Sequence, residues 1–496
     1  MKPLTVALLL SLCSPAVTTQ HLQFREAASV PIEDSVNIRQ RGAIGDGSTD
    51  DTSAVVQAFS DVCDSGGGTI YVPHGVFIVD PASSSIRICS NLIVEGPGTL
   101  RVKPDAGDYR CIFAPDPMIA PVNDVTFRGI TVDQNTSANT TATIRVGEDN
   151  TLQHVWQIFG GTNLHFENMH LYVSGVNPID VNGPTISGVY IVRNYVVFRK
   201  RLGQPEFDNS SIYIHGTDFH VADNTFTSTL TDAAVTAIEI HEGAGSVRGN
   251  TINGYSFGIN LVDLHGATVT GNSVRNAAYG ITLWSLNNME SVSVQGNIIS
   301  VNQVTRGTPS AYGIATSYNL GINGNFSNLQ IAGNVISFEQ ESSSRTIANN
   351  VNYGIGLQSF GNIANAVLFG NEIVRAPVRG VVVGVADARY TMSRVSVRDN
   401  RIIEAGSNLS RGTADYSAGI ALQGNLSSID VIRNRLDFLS DPFTGRYSYW
   451  SHEDGYTFRD VVVADNYSTA VNGSPENGLT RSVIQSYPGQ SRAMQQ

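Results

Sequence analysis

The chain has 496 residues and a formal net charge of -12 at neutral pH. This acidic balance argues against nucleic acid as a partner, because phosphate binding requires clustered Lys and Arg. Charged residues make up only 15% of the chain while glycine occurs 48 times, which favours many tight turns over exposed helices.

The first residues have the pattern of a secretory leader. Lys2 is followed by an apolar run over 4–12 and a small-residue exit over 15–18. We therefore expect residues 1–20 to be a signal peptide and 21–36 an N-terminal extension. No later apolar stretch is long enough to span a membrane, so the prediction is a secreted, extracellular protein without a membrane partner. We also expect a monomer.

Asn-x-Ser/Thr sequons are spread along the chain as surface loops would be, which predicts a glycoprotein. They lie at Asn135, Asn139, Asn209, Asn325, Asn408, Asn425, Asn466 and Asn472.

Three cysteines remain once the leader with Cys13 is removed. One disulfide and one buried thiol are expected in an oxidising compartment. We favour Cys89 with Cys111, whose spacing is close to one turn of the repeat described next, and leave Cys63 as the thiol.

A repeated phrase is the strongest signal in the sequence. It consists of a β-branched run, a small residue, an Asn and a further apolar pair, as in Val269-Thr-Gly-Asn-Ser-Val274. Such a coil buries its apolar side chains only by stacking on its neighbours. Asn suits the repeat because it tolerates the left-handed backbone region and can hydrogen-bond to the same Asn one rung away. The copies centre on Asn224, Asn250, Asn272, Asn297, Asn334, Asn371, Asn400, Asn434 and Asn466, with weaker ones at Asn168 and Asn194.

A cap precedes the repeats. Gly45-Asp-Gly-Ser-Thr-Asp-Asp-Thr52 leads into an apolar stripe at helical spacing, which predicts a helix over about residues 50–64 with Thr49 or Asp50 as its N-cap. The paired Asp50 and Asp51 are interpreted as part of this helix start rather than as catalytic groups. A helix here would cover the open end of the coil.

This opening, followed by Gly66-Gly-Gly-Thr-Ile-Tyr-Val-Pro73, resembles the start of the pectate-lyase-like superfamily. That superfamily includes polygalacturonases, exo-glucanases, tailspikes, lyases and epimerases. The resemblance implies an all-β fold, a single-stranded right-handed parallel β-helix with an N-terminal capping α-helix. We assign the β-helix to residues 37–474 and a flexible tail to 475–496.

Between the Asn phrases lie strands that alternate apolar and polar residues. If Ile179, Ile212 and Ile238 fill one inward slot on neighbouring coils, their polar successors point outward together. One outward column then reads Asp180, Tyr213, Glu239, Asn260 and Thr282, and the next reads Asn182, His215, His241, Val262 and Trp284. Acid, imidazole and phenol groups converge only on the first rungs of these columns, which marks a candidate active site.

The favoured hypothesis is an inverting glycoside hydrolase acting on a polysaccharide or oligosaccharide. Asp180 and Glu239 lie two rungs apart, and their carboxyl groups are expected about 7 to 9 Å apart, within the range of inverting glycosidases. Glu239 would protonate the leaving oxygen and Asp180 would activate water, with His215 or His241 orienting them.

Residues around the acids are assigned to the substrate. Trp284 and Tyr213 would stack on sugar rings, and Asn182 and Asn260 would hydrogen-bond to hydroxyls. The Asn-Thr-Asp, Asp-Asp, Gly-His-Gly and Arg-Ile-Lys motifs of polygalacturonases do not occur in the repeat region, so membership of that family in the narrow sense is not expected.

Two alternatives stay open. A polysaccharide lyase or uronate epimerase would use Tyr213 with His215 or His241 as acid and base, and Arg199 and Lys200 would receive the substrate carboxylate. The hydrolase needs no cofactor or metal, whereas a lyase could hold Ca²⁺ at Asp180, Glu239 or Asp208. The second alternative is a non-catalytic glycan-binding surface protein.

Overall fold

The computed structural model describes residues 35–139, 144–145, 148–199, 209–228, 235–302, 311–316, 323–339, 352–406, 418–437, 447–452 and 455–469. The predicted leader, most of the N-terminal extension and the predicted tail lie outside these residues. So do Lys200, Asp208, and the sequons at Asn408 and Asn472.

The described strands pair in parallel and form three long sheets, here called A, B and C, that the chain visits in turn on every coil. Sheet A contains β1 (Ser35–Asn37), β3 (Gly68–Tyr71), β6 (Leu92–Glu95), β9 (Val122–Arg128), β12 (Gly161–Glu167), β15 (Ile186–Val192), β18 (Asp218–Ala222), β21 (Ala244–Arg248), β24 (Ala267–Thr270), β27 (Asn288–Glu290), β28 (Ser293–Gln295), β31 (Asn325–Ala332), β34 (Ile363–Phe369), β37 (Thr391–Arg398), β40 (Asn425–Ile432) and β43 (Phe458–Ala464). Sheet B contains β2 (Asp46–Asp50), β4 (Val76–Val79), β7 (Thr99–Val102), β10 (Thr131–Asp133), β13 (His170–Val173), β16 (Tyr195–Phe198), β19 (Thr225–Ser228), β22 (Thr251–Asn253), β25 (Ser273–Ala277), β29 (Ile298–Val301), β32 (Val335–Phe338), β35 (Glu372–Val374), β38 (Arg401–Ile403), β41 (Arg435–Asp437) and β44 (Tyr467–Thr469). Sheet C contains β5 (Ile86–Ile88), β8 (Cys111–Pro115), β11 (His154–Ile158), β14 (Ile179–Asn182), β17 (Asn209–His215), β20 (Val235–His241), β23 (Phe257–Val262), β26 (Tyr279–Trp284), β30 (Ala311–Thr316), β33 (Asn352–Leu357), β36 (Arg379–Val383), β39 (Ala418–Gln423) and β42 (Tyr447–His452).

The architecture is the predicted right-handed parallel β-helix. Alternate residues of each strand point inward and form one continuous apolar core that runs from Ile38 to Val463. Since each coil buries its apolar face only against the coils above and below, the stack is held together by contacts between neighbouring rungs.

The recurring Asn residues form a buried ladder between sheets A and B. From Asn194 to Asn434, each side-chain Nδ2 donates to Oδ1 of the Asn on the next coil over 2.8 to 3.0 Å, and Asn466 is the last acceptor. The second amide hydrogen goes to a backbone carbonyl, as from Asn250 to Val221. The predicted hydrogen bond between rungs is therefore confirmed.

The other reason predicted for the Asn was wrong. The residue before each ladder Asn takes the left-handed conformation, as at Gly249 and Gly271 with φ of 65° and 64°. Asn168 is itself left-handed and exposed, and Met169 occupies the ladder position of its coil, so Asn168 is not a ladder residue. The Asn recurs because its amide both donates to and accepts from the neighbouring coils.

The cap helix α1 covers Thr52–Asp64 and buries Val55, Phe59 and Val62 against the first coils. Its N-cap is Asp51, rather than Thr49 or Asp50. The Asp51 carboxylate instead accepts from the backbone N–H groups of residues 44 and 45, which fastens the preceding turn to the helix. Short 3-10 helices in the described ranges lie at Ile38–Arg41, Thr136–Ala138 and Asp149–Thr151.

The predicted Cys89–Cys111 disulfide is wrong. Cys63 at the end of α1 is bonded to Cys89 with a Cα–Cα distance of 5.5 Å, and Cys111 is free and buried. At this level of the stack Ile86 pairs with Phe113, 27 residues further on, so two cysteines 22 residues apart are out of register. The disulfide therefore fastens the cap helix to the first coils.

Two sequons lie away from the surface. Asn139 is buried and its Nδ2 donates to three backbone carbonyls, and Asn209 is buried at the start of β17. Asn325 is exposed, whereas Asn466 is half-buried and ends the ladder. The expectation that all sequons lie in surface loops is thus wrong for Asn139 and Asn209, because their amides satisfy buried backbone groups.

We expect Asn250→Ala to lower the free energy of unfolding by about 1 to 3 kcal/mol, because it leaves buried donors of Asn224 without an acceptor. Denaturant unfolding would measure the change. The exposed Asn288→Ala is the control and should stay within about 0.5 kcal/mol of the wild type. Equal effects of the two substitutions would contradict a stabilising ladder.

Peptide mapping under non-reducing conditions should recover Cys63 joined to Cys89. Burial raises the pKa of the Cys111 thiol to about 11, so this thiol should react with a maleimide only after unfolding. Rapid labelling of Cys111 in the folded protein would show that the start of β8 is open to solvent.

Candidate functional site

The site depends on the register of sheet C, which is as predicted. Ile179 pairs with Ile212, Ile212 with Ile238, and the same inward column continues through Ile259 and Ile281. The outward neighbours are aligned as well, so that Asp180, Tyr213 and Glu239 follow one another on consecutive strands. The polar groups identified from the sequence therefore share one outer face.

Glu239 is the centre of the hydrogen-bond network on this face. Its Oε2 accepts from the Ser210 hydroxyl, and its Oε1 accepts from His241 Nε2 at 2.9 Å and from Asn260 Nδ2 at 3.4 Å. The Glu239 side chain is only 8% exposed. Since its oxygens are occupied by donors of the protein, Glu239 is placed to orient its neighbours.

His241 is the most directly affected neighbour. A carboxylate only accepts, so His241 Nε2 carries the hydrogen in this contact and Nδ1 of the neutral ring keeps a lone pair. The side chain is 23% exposed, and its ring centroid lies 4.9 Å from that of Tyr213. An oriented imidazole and a phenol thus stand side by side where a ligand on this face can reach them.

His215 forms a second imidazole beside the first. Its ring centroid is 6.3 Å from that of His241. His215 Nδ1 donates to Asn182 Oδ1 at 3.3 Å, and Nε2 lies 3.3 Å from a carboxylate oxygen of Glu242. Asn182 therefore orients His215, and this contact is separate from the contact with substrate that the sequence predicts for Asn182.

Asp180 differs from Glu239 because its partners leave one oxygen free. The side chain is 5% exposed, and Oδ2 accepts from Gln157 Nε2 at 3.1 Å. Oδ1 is buried and has no hydrogen-bond partner among the described residues. Burial raises the pKa of Asp180, against smaller opposing effects of His154, Gln157 and Arg110.

Gln157 belongs to the rung before Asp180 and is held in one orientation. Arg110 Nε donates to Gln157 Oε1 at 2.6 Å, which places the Gln157 amino group toward Asp180 and toward His154 Nε2 at 3.1 Å. His154 Nδ1 in turn donates to the carbonyl of Asn177 at 2.9 Å. The donor and the acceptor are therefore determined for every hydrogen bond in this series, and Asp180 Oδ2 is an acceptor.

Asn260 and Trp284 lie further along the same face. Asn260 is buried, accepts from Thr282 Oγ1 at 2.8 Å and donates to Glu239, so it supports the carboxylate. Trp284 is half-buried and lies edge-on to Phe257, with ring centroids 6.1 Å apart. Of the two, Trp284 retains the exposure that sugar stacking needs.

Arg199 does not join these residues. Its guanidinium lies 5.2 Å from the ring centroid of Tyr172, on a strand of sheet B. Among the residues that the structure describes, Arg110 is a basic group near Asp180, and it also lies 3.4 Å from Asp149.

Four contributors were missed from the sequence, namely Arg110, His154, Gln157 and Ser210. Gln157 follows Trp156, which fills the inward slot that Ile179 fills on the next coil. An alignment that requires Ile in the inward slot misses this rung. An alignment that accepts any large apolar residue there would have included Trp156 and hence Gln157. Among the described residues no three His, Cys, Asp or Glu side chains are grouped as a metal site.

The chain also matches known proteins. A family model described as rhamnogalacturonase A/epimerase, pectate lyase-like, matches residues 35–282, which is half of the chain. The mannuronan C5-epimerase AlgE3 of Azotobacter vinelandii is 38% identical over 66 residues, 12% of this chain and 4% of the epimerase. Alginate lyase 7 of the same organism is 42% identical over 66 residues, 12% of this chain and 8% of the lyase. The chain thus spans less than a tenth of these curated relatives.

Among solved structures, a tailspike protein of E. coli bacteriophage HK620 in complex with a pentasaccharide superimposes with a TM-score of 0.51. The identity is 15%, and the match covers 88% of this chain and 67% of the tailspike. At this identity the similarity shows the fold. Within the described part of the chain, no helix has the length and apolar character to cross a membrane.

The raised pKa of Asp180 predicts a pH dependence of stability. The folded state holds the proton more tightly than the unfolded state, so the free energy of unfolding falls as pH rises from the ordinary Asp pKa through the raised one. Asp180→Asn removes this loss, and the variant should gain stability relative to the wild type across that window. Denaturant unfolding at a series of pH values would test it, with Asp218→Asn, whose side chain is 45% exposed, as a control for the lost charge. Parallel curves for wild type and Asp180→Asn would contradict the prediction.

Proposed function

Because the chain belongs to the rhamnogalacturonase A/epimerase, pectate lyase-like family, we propose that it is a carbohydrate-active enzyme that cleaves a uronate-containing polysaccharide by β-elimination. The observation that carries the proposal is the half-buried pair of His241 and Tyr213, with His241 oriented by the buried Glu239. General acid–base chemistry requires such positioned groups of moderate basicity.

In the proposed reaction His241 Nδ1 removes the proton on the carbon next to the uronate carboxylate. The electron pair forms a carbon–carbon double bond, and the bond to the glycosidic oxygen breaks. The Tyr213 hydroxyl gives its proton to that leaving oxygen, and the proton held by His241 passes through solvent to restore the phenol. The products are a new reducing end and an unsaturated uronate.

The position of the two groups favours elimination over epimerisation. Both processes begin with removal of the same proton, but epimerisation returns a proton to the opposite face of the sugar ring. His241 and Tyr213 stand on the same outer face of sheet C with their rings 4.9 Å apart. They are therefore suited to remove a proton and protonate the leaving oxygen on one side of the substrate.

Glycoside hydrolysis is a second candidate, and the state of Asp180 favours it. Asp180 and Glu239 are two rungs apart, about 10 Å between strands, which is compatible with the carboxyl separation of inverting enzymes. The roles assigned from the sequence would then be exchanged. Burial raises the pKa of Asp180 and makes it the acid, while Glu239 with His241 would activate water.

The proposed place of action is outside the cell. The predicted leader at residues 1–20 supports it, and so does the disulfide between Cys63 and Cys89, since disulfides persist in oxidising compartments.

A glycan screen would separate the candidates. The panel should include alginate, polygalacturonate and neutral glucans, and each reaction should be followed both by new reducing ends and by ultraviolet absorbance of unsaturated uronate. Elimination predicts that both signals rise together. Reducing ends without absorbance would support the hydrolase, and inertness on every glycan would favour a binding protein.

On the substrate found in this way, His241→Ala and Tyr213→Phe should each lower kcat by about 100-fold to 10,000-fold, because each removes a proton-transfer group. The matched control is His165→Ala. His165 lies on sheet A, is 26% exposed and contacts the Glu167 carboxylate at 3.0 Å, so it reproduces the imidazole–carboxylate pair away from the site. Full activity of His241→Ala would rule out the proposed base.

A further inference from the structure

We infer that Asp180 is the receptor for the carboxylate of the reacting uronate, and that it acts as a neutral carboxyl group donating a hydrogen bond from Oδ1. The inference rests on the proposed elimination and adds how the site selects an acidic sugar. Elimination next to a carboxylate requires that its negative charge be compensated, since the charge opposes removal of the neighbouring proton.

The first support is the unpaired oxygen. Asp180 is buried on the outer face of sheet C, yet Oδ1 has no partner within the described part of the chain. Leaving a buried polar atom unpaired is destabilising, so such an atom calls for an explanation by function or by a ligand. Glu239 on the same face shows the contrast, because both of its oxygens accept hydrogen bonds.

The second support is the direction of the hydrogen bonds around Asp180. Arg110 can only donate, so the oxygen of Gln157 faces Arg110 and its amino group faces Asp180 Oδ2. Because Oδ2 is an acceptor, the proton of a neutral Asp180 must sit on Oδ1. Burial raises the pKa of Asp180, which is consistent with a neutral group there.

The third support is the position of Asp180 relative to the proton-transfer groups. Asp180 is paired with Tyr213, one rung or about 5 Å away, and Tyr213 is paired with Glu239 on the next rung. A sugar ring over Tyr213 therefore has Asp180 on one side and His241 on the other. This order suits a uronate whose carboxylate faces Asp180 while the adjacent carbon faces the base.

Binding measurements test the inference independently of turnover. Calorimetry should compare tetragalacturonate and tetramannuronate with the same oligosaccharides after reduction of their carboxyl groups. We expect at least one of the acidic oligosaccharides to bind the wild type about 10-fold to 100-fold more tightly than its reduced form, as for a hydrogen bond to a charged group. Addition of EDTA should leave this preference unchanged.

Two substitutions at Asp180 sharpen the test. In Asp180→Asn the amide oxygen can accept from Gln157, which places the amide N–H₂ where Oδ1 was, so the preference for the acidic oligosaccharide should be retained. Asp180→Ala has no donor and should lose it. A third variant, Asp218→Asn on sheet A, controls for the charge change and should bind like the wild type.

The outcomes separate this inference from the proposed function. Absence of unsaturated product from every uronate polymer would end the elimination proposal, whereas equal binding of acidic and reduced oligosaccharides would end the inference. Loss of the preference in Asp180→Asn as well as Asp180→Ala would also overturn it, since the Asn amide still places a hydrogen-bond donor at the position of Oδ1. Loss of the preference on adding EDTA would assign the carboxylate to a bound cation instead.

Discussion

The parallel register of sheet C is the constraint on which the site depends. Each inward apolar residue stacks on the equivalent residue of the coil before it, and alternation along the strand sends the next residue outward in the same row. Asp180, Tyr213 and Glu239 are far apart in sequence but are brought to consecutive rungs by this stacking. A slip of one residue in β17 would turn Tyr213 into the core and remove the phenol from the site.

Burial divides the polar residues of the candidate site into two groups. The carboxyl groups of Asp180 and Glu239 lie beneath the surface, whereas His215 and His241 keep about a quarter of their side chains exposed. A site organised in this way presents imidazole and phenol to a ligand and uses one carboxylate to orient them. This arrangement supports the proposed acid–base chemistry of elimination.

Several features of the fold were predictable because they are local or periodic. The Asn phrase, the cap helix and the inward Ile column follow from spacing alone, and each is present. The disulfide was not predictable in this way. Its partners depend on the number of residues in one particular coil, and the coil from Ile86 to Phe113 is longer than the 22-residue spacing on which the expected pairing relied.

The sequence by itself determined the repeat, the sheet face and the identity of the outward columns, because periodicity two and in-register stacking leave little freedom once the coils are aligned. Only the tertiary structure decided which of those groups are buried and which way their hydrogen bonds run. Gln157 and Arg110 approach Asp180 from earlier coils, and Ser210 reaches Glu239 from the neighbouring strand. Such contacts depend on side-chain conformations and on which residues lie over each rung. No local pattern in the sequence encodes either of them.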